Sequence, residues 1–264
     1  MKKNNYLIIA AAASGIIAAA APQAQGTVIW TAGAPGGTSG GALDFDQSLI
    51  LDTGVATNDI YGGGSATGDY TVSAWINPDV VSEGWFIGTT NQALHLGIKD
   101  NNALRQGHWG NDSSGSTAII AGEWVHTTFA YEAGTISIYV NGVLDVANVV
   151  GGPDNANGNI VIGGRIRNDS AGEFTGLNRQ PFDGQVDDVA IWDSALSAAQ
   201  IADLFSGAQG AVALGASAYY DFEDDQTGFE AAVQGTLGAN ISIPEPSSLA
   251  LVLVGAAGFL RRKR

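Results

Sequence analysis

The chain is 264 residues long, carries 37 glycines and no cysteine, and has a formal net charge of −15 at pH 7. The absence of thiols excludes a disulfide framework and a thiolate metal site. Six of the eleven basic residues lie at the two ends, while all 26 acidic residues fall between Asp44 and Glu245, so the middle of the chain is strongly acidic and unsuited to nucleic acid or anionic membrane surfaces.

Met1-Lys2-Lys3 leads into an apolar run from Tyr6 to Ala21, the layout of a secretory signal peptide. Pro22 disfavours cleavage after Ala21, and Ala24-Gln25-Gly26 is the preferred site. Residues 1–26 therefore read as the signal and 27–240 as one domain of about 215 residues, within the usual range for an all-β sandwich. Val28-Ile29-Trp30 reads as a short edge strand. In Ala42 to Asp46, Leu43 and Phe45 point one way and Asp44 and Asp46 the other, with Leu49-Ile50-Leu51 expected as the partner strand. Asp52 to Asp69 is Gly-rich and polar, a surface loop suited to lining a binding rim.

Tyr70, Val72, Ala74 and Ile76 share one face of a strand that Pro78 ends, having no donor for the ladder. Trp85–Gly88, Leu94–Ile98 and Leu104–Trp109 read as three further short strands. Most tryptophans should be core between two packed sheets. Trp109, beside the polar run Asn111–Gly115, is the candidate for an exposed ring on which the apolar C–H face of a sugar stacks. His95, His108 and His126 are spaced 13 and 18 apart, unlike common zinc patterns.

The stretch from Gly122 to Gly142 alternates with period two. Val125, Thr127, Phe129 and Tyr131 oppose Trp124, His126, Thr128 and Ala130, and Ile136, Ile138 and Val140 resume the pattern after a three-residue connection, Glu132-Ala133-Gly134. This predicts a hairpin, with Asn141-Gly142 supplying a second tight turn. Gly151–Asn159 is read as a loop and Arg165–Pro181 as a longer one. Arg165, Arg167 and Arg179 in that second loop suit either a carboxylate-bearing sugar or nearby Asp and Glu side chains. The alternation of Phe182, Gly184 and Val186 changes phase before Val189 and Ile191, which predicts a β-bulge at Asp187-Asp188. Leu196, Ile201, Leu204 and Phe205 form a helical stripe with a Ser197-x-x-Gln200 capping box, expected on the sandwich edge. Ala218 to Glu223 reads as a final strand.

Trp124-x-His126 followed by Tyr131 and the strand ending Tyr139-Val140-Asn141-Gly142 resembles the central hairpin of the laminin-G-like, concanavalin A-like jelly-roll family. Ala42–Asp46, Tyr70–Pro78, Ile160–Gly163 and Phe182–Trp192, then Ala195-Leu196-Ser197, fall in that family's order. The resemblance implies an all-β jelly-roll sandwich with one short helix after the late strand, and takes His126 as structural. It also implies a calcium ion between an early and a late strand, on Asp46 with Asp187 or Asp188, an ion that prefers several hard oxygens. It does not fix the ligand, because the fold carries lectins, hydrolases and scaffolds alike. Tyr220-x-Phe222-Glu223 departs from the pattern, since such a motif more often opens the domain than closes it.

Pro244-Glu245-Pro246 is followed by an apolar run from Leu249 to Leu260 and by Arg261-Arg262-Lys263-Arg264. As a helix the run reaches about 18 Å against a hydrocarbon core of roughly 30 Å. Residues 243–264 resemble the PEP-CTERM sorting signal of Gram-negative bacteria, which implies transient anchoring in the inner membrane and processing by an exosortase at Pro244, Glu245 and Pro246. Jelly-roll glucanases place their carboxyl pair on a Glu-x-Asp-x-x-Glu run, which this sequence lacks. The functional reading is an exported, non-catalytic cell-surface or extracellular-matrix protein that binds glycan or another envelope component, with Trp109, Arg165 and Arg167 as ligand residues and calcium as a possible cofactor. A matrix scaffold without a specific ligand is the alternative, and a glycoside hydrolase the less favoured third.

Overall fold

The computed structural model describes residues 29–37, 40–46, 51–57, 68–89, 94–107, 110–150, 158–168, 174–177 and 180–222. The residues expected to form the signal peptide and the C-terminal sorting signal lie outside this set. Among the described residues no helix is long and apolar enough to cross a membrane.

One sheet contains β1 (Ile29–Ala32), β2 (Gly41–Asp46), β15 (Asp183–Trp192), β4 (Tyr70–Pro78), β9 (Val125–Glu132), β10 (Thr135–Val140) and β11 (Val143–Val149), in that spatial order. An eighth strand, β16 (Ala218–Tyr220), also pairs with β15. The facing sheet runs β3 (Leu51–Ala56), β12 (Asn159–Ile162), β5 (Gly84–Thr89), β6 (His95–Lys99), β7 (Ala103–Gly107) and β8 (Ser113–Ala118). All strand pairs within these two sheets are antiparallel, the jelly-roll sandwich that the resemblance implies.

The inner faces are the expected ones. Leu43 and Phe45 of β2, the even positions of β4 and Phe129 of β9 are buried in one core together with Phe86, Leu96 and Leu104 from the opposite sheet. A strand that is apolar on every second residue has only one face to bury, so its register is fixed by that face.

Four local expectations about strands and turns give way. Leu51 opens β3, which pairs with β12 in the facing sheet and not with Ala42–Asp46. Ser113 to Gly115, placed in a polar loop, open β8 (Ser113–Ala118) at the edge of the six-stranded sheet; the strand has no apolar alternation to reveal it, and Asp145 of β11 secures it by accepting the Ser116 N–H at 2.7 Å and both hydroxyls of Ser116 and Thr117 at 2.7 Å. Within Arg165–Pro181, β13 (Ile166–Asn168) and β14 (Phe174–Leu177) pair as a separate two-stranded ribbon. The central hairpin turns on two residues, because Glu132 pairs with Thr135 and both Ala133 (φ 45°) and Gly134 (φ 88°) are left-handed, the backbone of a type I′ turn.

The helix α1 (Ala198–Ser206) has the predicted capping box: Ser197 Oγ accepts the Gln200 N–H, and Gln200 Oε1 accepts the Ser197 N–H at 2.9 Å. It lies not at the sandwich edge but on the outer face of the eight-stranded sheet, where Ile201 packs with Ala130, Tyr139 and Trp192 in a second apolar cluster. Outward-facing aromatics on the middle strands demand a cover, and the amphipathic helix supplies it.

Candidate functional site

β15 is ten residues long and is shared. One flank pairs with β4 along most of its length, while the other pairs first with β2, at Asp183 to Val186, and then with β16, at Val189 to Ile191. The predicted bulge falls at this handover: register shifts between Asp187 and Ala190, and Asp188 takes φ 47°. The turn between β1 and β2 fills the gap. Its Ala34 N–H donates to Asp187 Oδ2 at 2.8 Å, and the Asp188 N–H donates to Asp187 Oδ1 at 2.7 Å, so the buried Asp187 carboxylate is held from both sides by backbone. Asp188 accepts the Tyr219 hydroxyl. Glycine is required in the turn, because a Cβ on Gly37 would fall 2.7 Å from Asp188 Oδ2 and one on Gly36 would fall 2.6 Å from the Trp75 ring.

Above this junction a cavity of about 210 Å³ opens on the outer face of the eight-stranded sheet. Ser73 and Trp75 of β4, His126 of β9, and Asp188 and Ala190 of β15 line it together with Tyr219, and Leu204 of α1 and the Gly207–Ala211 turn border it. Trp75 pairs in register with Asp187 on one side and His126 on the other. Its ring meets His126 edge-on at 5.1 Å and Phe205 of α1 at 5.7 Å.

His126 lies at the bottom of this arrangement, 3% exposed. Burial pushes its pKa down to about 3, so the ring is neutral at ordinary pH. Its Nε2 is 2.9 Å from Ser73 Oγ, and Thr128 Oγ1 donates to the same Ser73 oxygen. A serine oxygen has one hydrogen to donate and two lone pairs to accept with, so the Ser73–His126 bond forms with either ring tautomer. Nδ1 is buried without a hydrogen-bond partner.

The residues predicted for a site divide between two faces. Asp187 and Asp188 meet at the bulge. Asp46 does not join them: it pairs opposite Asp183, four residues and about 13 Å up β15 at roughly 3.3 Å per residue. There it neighbours Asp44, whose carboxyl is raised above its ordinary value by burial and then by the charges of Asp79, Asp183 and Asp46. Among the described residues no group of three or more His, Asp or Glu is placed to hold a metal ion, so the three carboxylates named for calcium do not close around one ion.

Arg165 belongs to the other sheet's outer face, its guanidinium 5.0 Å from the centre of the Trp85 ring, with Gln180 Oε1 accepting from Arg165 Nη2 at 3.4 Å and from Trp85 Nε1 at 3.1 Å. Trp85 is buried there against His95, so the arginine covers the ring. Arg167 lies in β13. Trp109, Pro244, Glu245 and Pro246 lie outside the described residues.

Ser73, Trp75 and Tyr219 were missed, and His126 was read as structural. The available signal was the outward parity of Thr71, Ser73 and Trp75 beside Trp124-x-His126: two aromatic-bearing outer faces on strands whose inner faces were already committed to the core.

The model of the concanavalin A-like lectin/glucanases superfamily matches residues 51–202, more than half of the chain. The chain belongs to this superfamily. A PEP-CTERM protein-sorting motif matches residues 242–264 and marks the chain for export in Gram-negative bacteria. Adhesion G-protein coupled receptor V1 from Danio rerio is 26% identical over 153 residues, 52% of this chain but only 2% of that receptor. A solved Bacteroides ovatus protein described as carbohydrate binding superposes with a TM-score of 0.51 at 22% identity, over 70% of this chain and 52% of its own. Domain 4 of a GH43 extracellular arabinanase from Geobacillus stearothermophilus, in complex with arabinotriose, gives 0.48 at 23% identity, over 68% and 81%. At these identities the likeness is one of fold.

Proposed function

We propose that the exported domain binds glycan in the cavity beside the Asp187-Asp188 bulge and does not cleave it. The carrying observation is the composition of that cavity: Trp75 and Tyr219 offer aromatic surface, Asp188 and His126 offer hydrogen-bonding groups, and Asp188 is the one carboxylate among the described lining residues. Glycoside hydrolysis needs two carboxyl groups facing each other across the sugar. Asp187 does not serve as the second, since it is buried and both its oxygens accept backbone N–H groups. At about 210 Å³ the cavity is smaller than the roughly 300 to 1,000 Å³ that encloses a drug-sized ligand, which suits one sugar ring or its substituent at the end of a chain. The lectin/glucanase superfamily and the fold shared with the Bacteroides ovatus protein are in keeping with this reading.

Exosortase processing at Pro244-Glu245-Pro246 would deliver the domain to the cell surface or the extracellular matrix. A glycan array run with the exported protein, wild type and Asp188→Ala, tests the binding. Specific signal that the substitution abolishes is expected; silence across the array refutes the proposal and leaves the scaffold, while shortened glycans in the eluate restore the hydrolase. Calcium dependence, implied by the resemblance, is a separate arm of the same experiment. Equal array signal and equal melting temperature in calcium and in EDTA remove the ion from the proposal.

A further inference from the structure

The two sheets end side by side in a wall that carries almost no charge. β11 is the last strand of the eight-stranded sheet and β8 the last of the six-stranded one. Asp145 of β11 accepts from the hydroxyls of Ser116 and Thr117 in β8, and Asn148 Nδ2 donates to Ser113 Oγ at 2.7 Å, so the two edges are tied into one surface. All 26 acidic residues of the chain fall between Asp44 and Glu245, yet Ser113–Gly122 holds no charged residue and Ala133–Val150 holds only Asp145. Along β11, Val149 is 88% exposed, Val143 70% and Leu144 50%.

A strand edge presents a row of unpaired N–H and C=O groups, and proteins blunt such edges with lysine, proline, outward charge or a cover. β11 has no lysine and no proline. Its register slip inserts Asp145 between the residues opposite Ile138 and Tyr139, and that carboxylate is turned to β8 rather than outward. Among the described residues no strand pairs with the outer side of β11.

We propose that β11 is a self-association edge, pairing antiparallel with β11 of a second copy of this chain about a two-fold axis perpendicular to the sheets. Such an axis makes an isologous contact, each copy offering the other the same uncharged edge. A contact through the end of the sheet that carries Asp44, Asp46, Asp79 and Asp183 would instead set like charges together. At 3.4 Å per residue β11 is about 24 Å long, and the two sheet edges with their side chains span about 20 Å, so the contact covers on the order of 500 Å² per copy. The total of about 1,000 Å² is at the floor for a specific interface, which makes the dimer a weak one that forms where the protein is concentrated. The axis turns the outer faces of both eight-stranded sheets to the same side. On the glycan-binding reading both cavities then meet one surface and hold it with avidity, but the pairing does not depend on that reading.

Sedimentation velocity of the exported protein from about 1 to about 200 µM tests this. The mass should rise from monomer toward dimer across that range. Val149→Glu sets like charges against the joined edge and should weaken association at least ten-fold; because Val149 is exposed, the melting temperature at the lowest concentration should not change. Val80→Glu, on an exposed valine outside the wall, should leave association as it is. Hydrogen exchange followed against concentration should show protection gained in Val143–Val149. A monomer at every concentration, a dimer that Val149→Glu leaves as tight, an equal loss in Val80→Glu, or protection gained elsewhere and not in β11 overturns the proposal. Protection of β11 already present in the monomer overturns it too, since the edge is then covered by the chain itself. None of these outcomes bears on the glycan array, which reads the cavity.

Discussion

Lowering the pH from 7 to 5 should destabilise the domain through His126 alone by about 2 kcal/mol. The folded ring has its pKa pushed down to about 3 from an ordinary value of 6.5, because burial penalises the charged form. The unfolded chain therefore binds a proton that the native state refuses. Stability from this group is complete above pH 6.5 and is lost as the pH falls toward 3; linkage over that interval gives about 2 kcal/mol at pH 5 and a ceiling near 5 kcal/mol. The assay is urea denaturation at pH 7, 6 and 5, comparing wild type with His126→Gln. The readout is the difference in slope between the two proteins, so other titrating groups cancel and the variant's absolute stability does not matter. Asp145, raised by partial burial but brought below its ordinary value by the combined hydrogen bonds from Ser116 and Thr117, loses its contribution only in the carboxylate range below this window. Parallel pH profiles for the two proteins would refute the reasoning, since they would mean that His126 titrates in the folded state as it does in water.

Phe129→Ala should cost about 3 to 5 kcal/mol, the usual loss for a phenylalanine buried between sheets, because the ring is fully buried 6.2 Å from Phe86; chemical denaturation checks it, and a loss under about 1 kcal/mol would contradict the inner-face assignment. Ser197→Ala removes the capping box over α1 and should cost about 1 kcal/mol, read as a fall of about 2 to 4 °C in melting temperature. The exported protein should end near residues 243 to 248 by intact mass, since Pro244 and Pro246 keep the backbone out of a helix and the apolar run after them is short for a span; recovery of the chain with Arg264 from the inner membrane of an exosortase-bearing host would contradict processing.

The strands that face the core were legible because burial writes itself into alternation. Tyr70 to Ile76 and Val125 to Tyr131 each have an apolar parity, and the slip between Val186 and Val189 located the bulge at Asp187-Asp188, where the structure has it. Edge strands carry no such record: β8 is built of Ser, Gly, Thr and Ala, and its pairing depends on backbone and on Asp145, 28 to 29 residues away. The candidate site was half legible. Its carboxylate is a sequence-local event, a bulge. Its walls come from outward positions on β4, β9 and β16 and from the Gly36-Gly37 turn, brought together only by strand order. Asp46 was grouped with Asp187 because the resemblance implies a calcium ion between an early and a late strand, here β2 and β15. They are neighbours, but the register sets Asp46 against Asp183.

The late strand that departs from the family pattern accounts for the position of the cavity. A single partner running the full length of β15 would leave no break on that flank and no place for a turn to enter. Here β2 stops at Asp183–Val186 and β16 takes up the flank from Val189, so the bulge sits where neither strand pairs, and the Ala34 N–H fills the gap by bonding to Asp187. Asp187 then anchors the turn, which frees Asp188 to face the cavity, and Tyr219 of the late strand reaches Asp188 with its hydroxyl. Burial of Asp187 is thus a structural cost offset by two backbone hydrogen bonds, and Asp188, bonded by Tyr219, is the carboxylate that lines the cavity among the described residues. On the proposed glycan-binding reading, that one carboxylate among the described lining residues supports recognition of a hydrogen-bond donor.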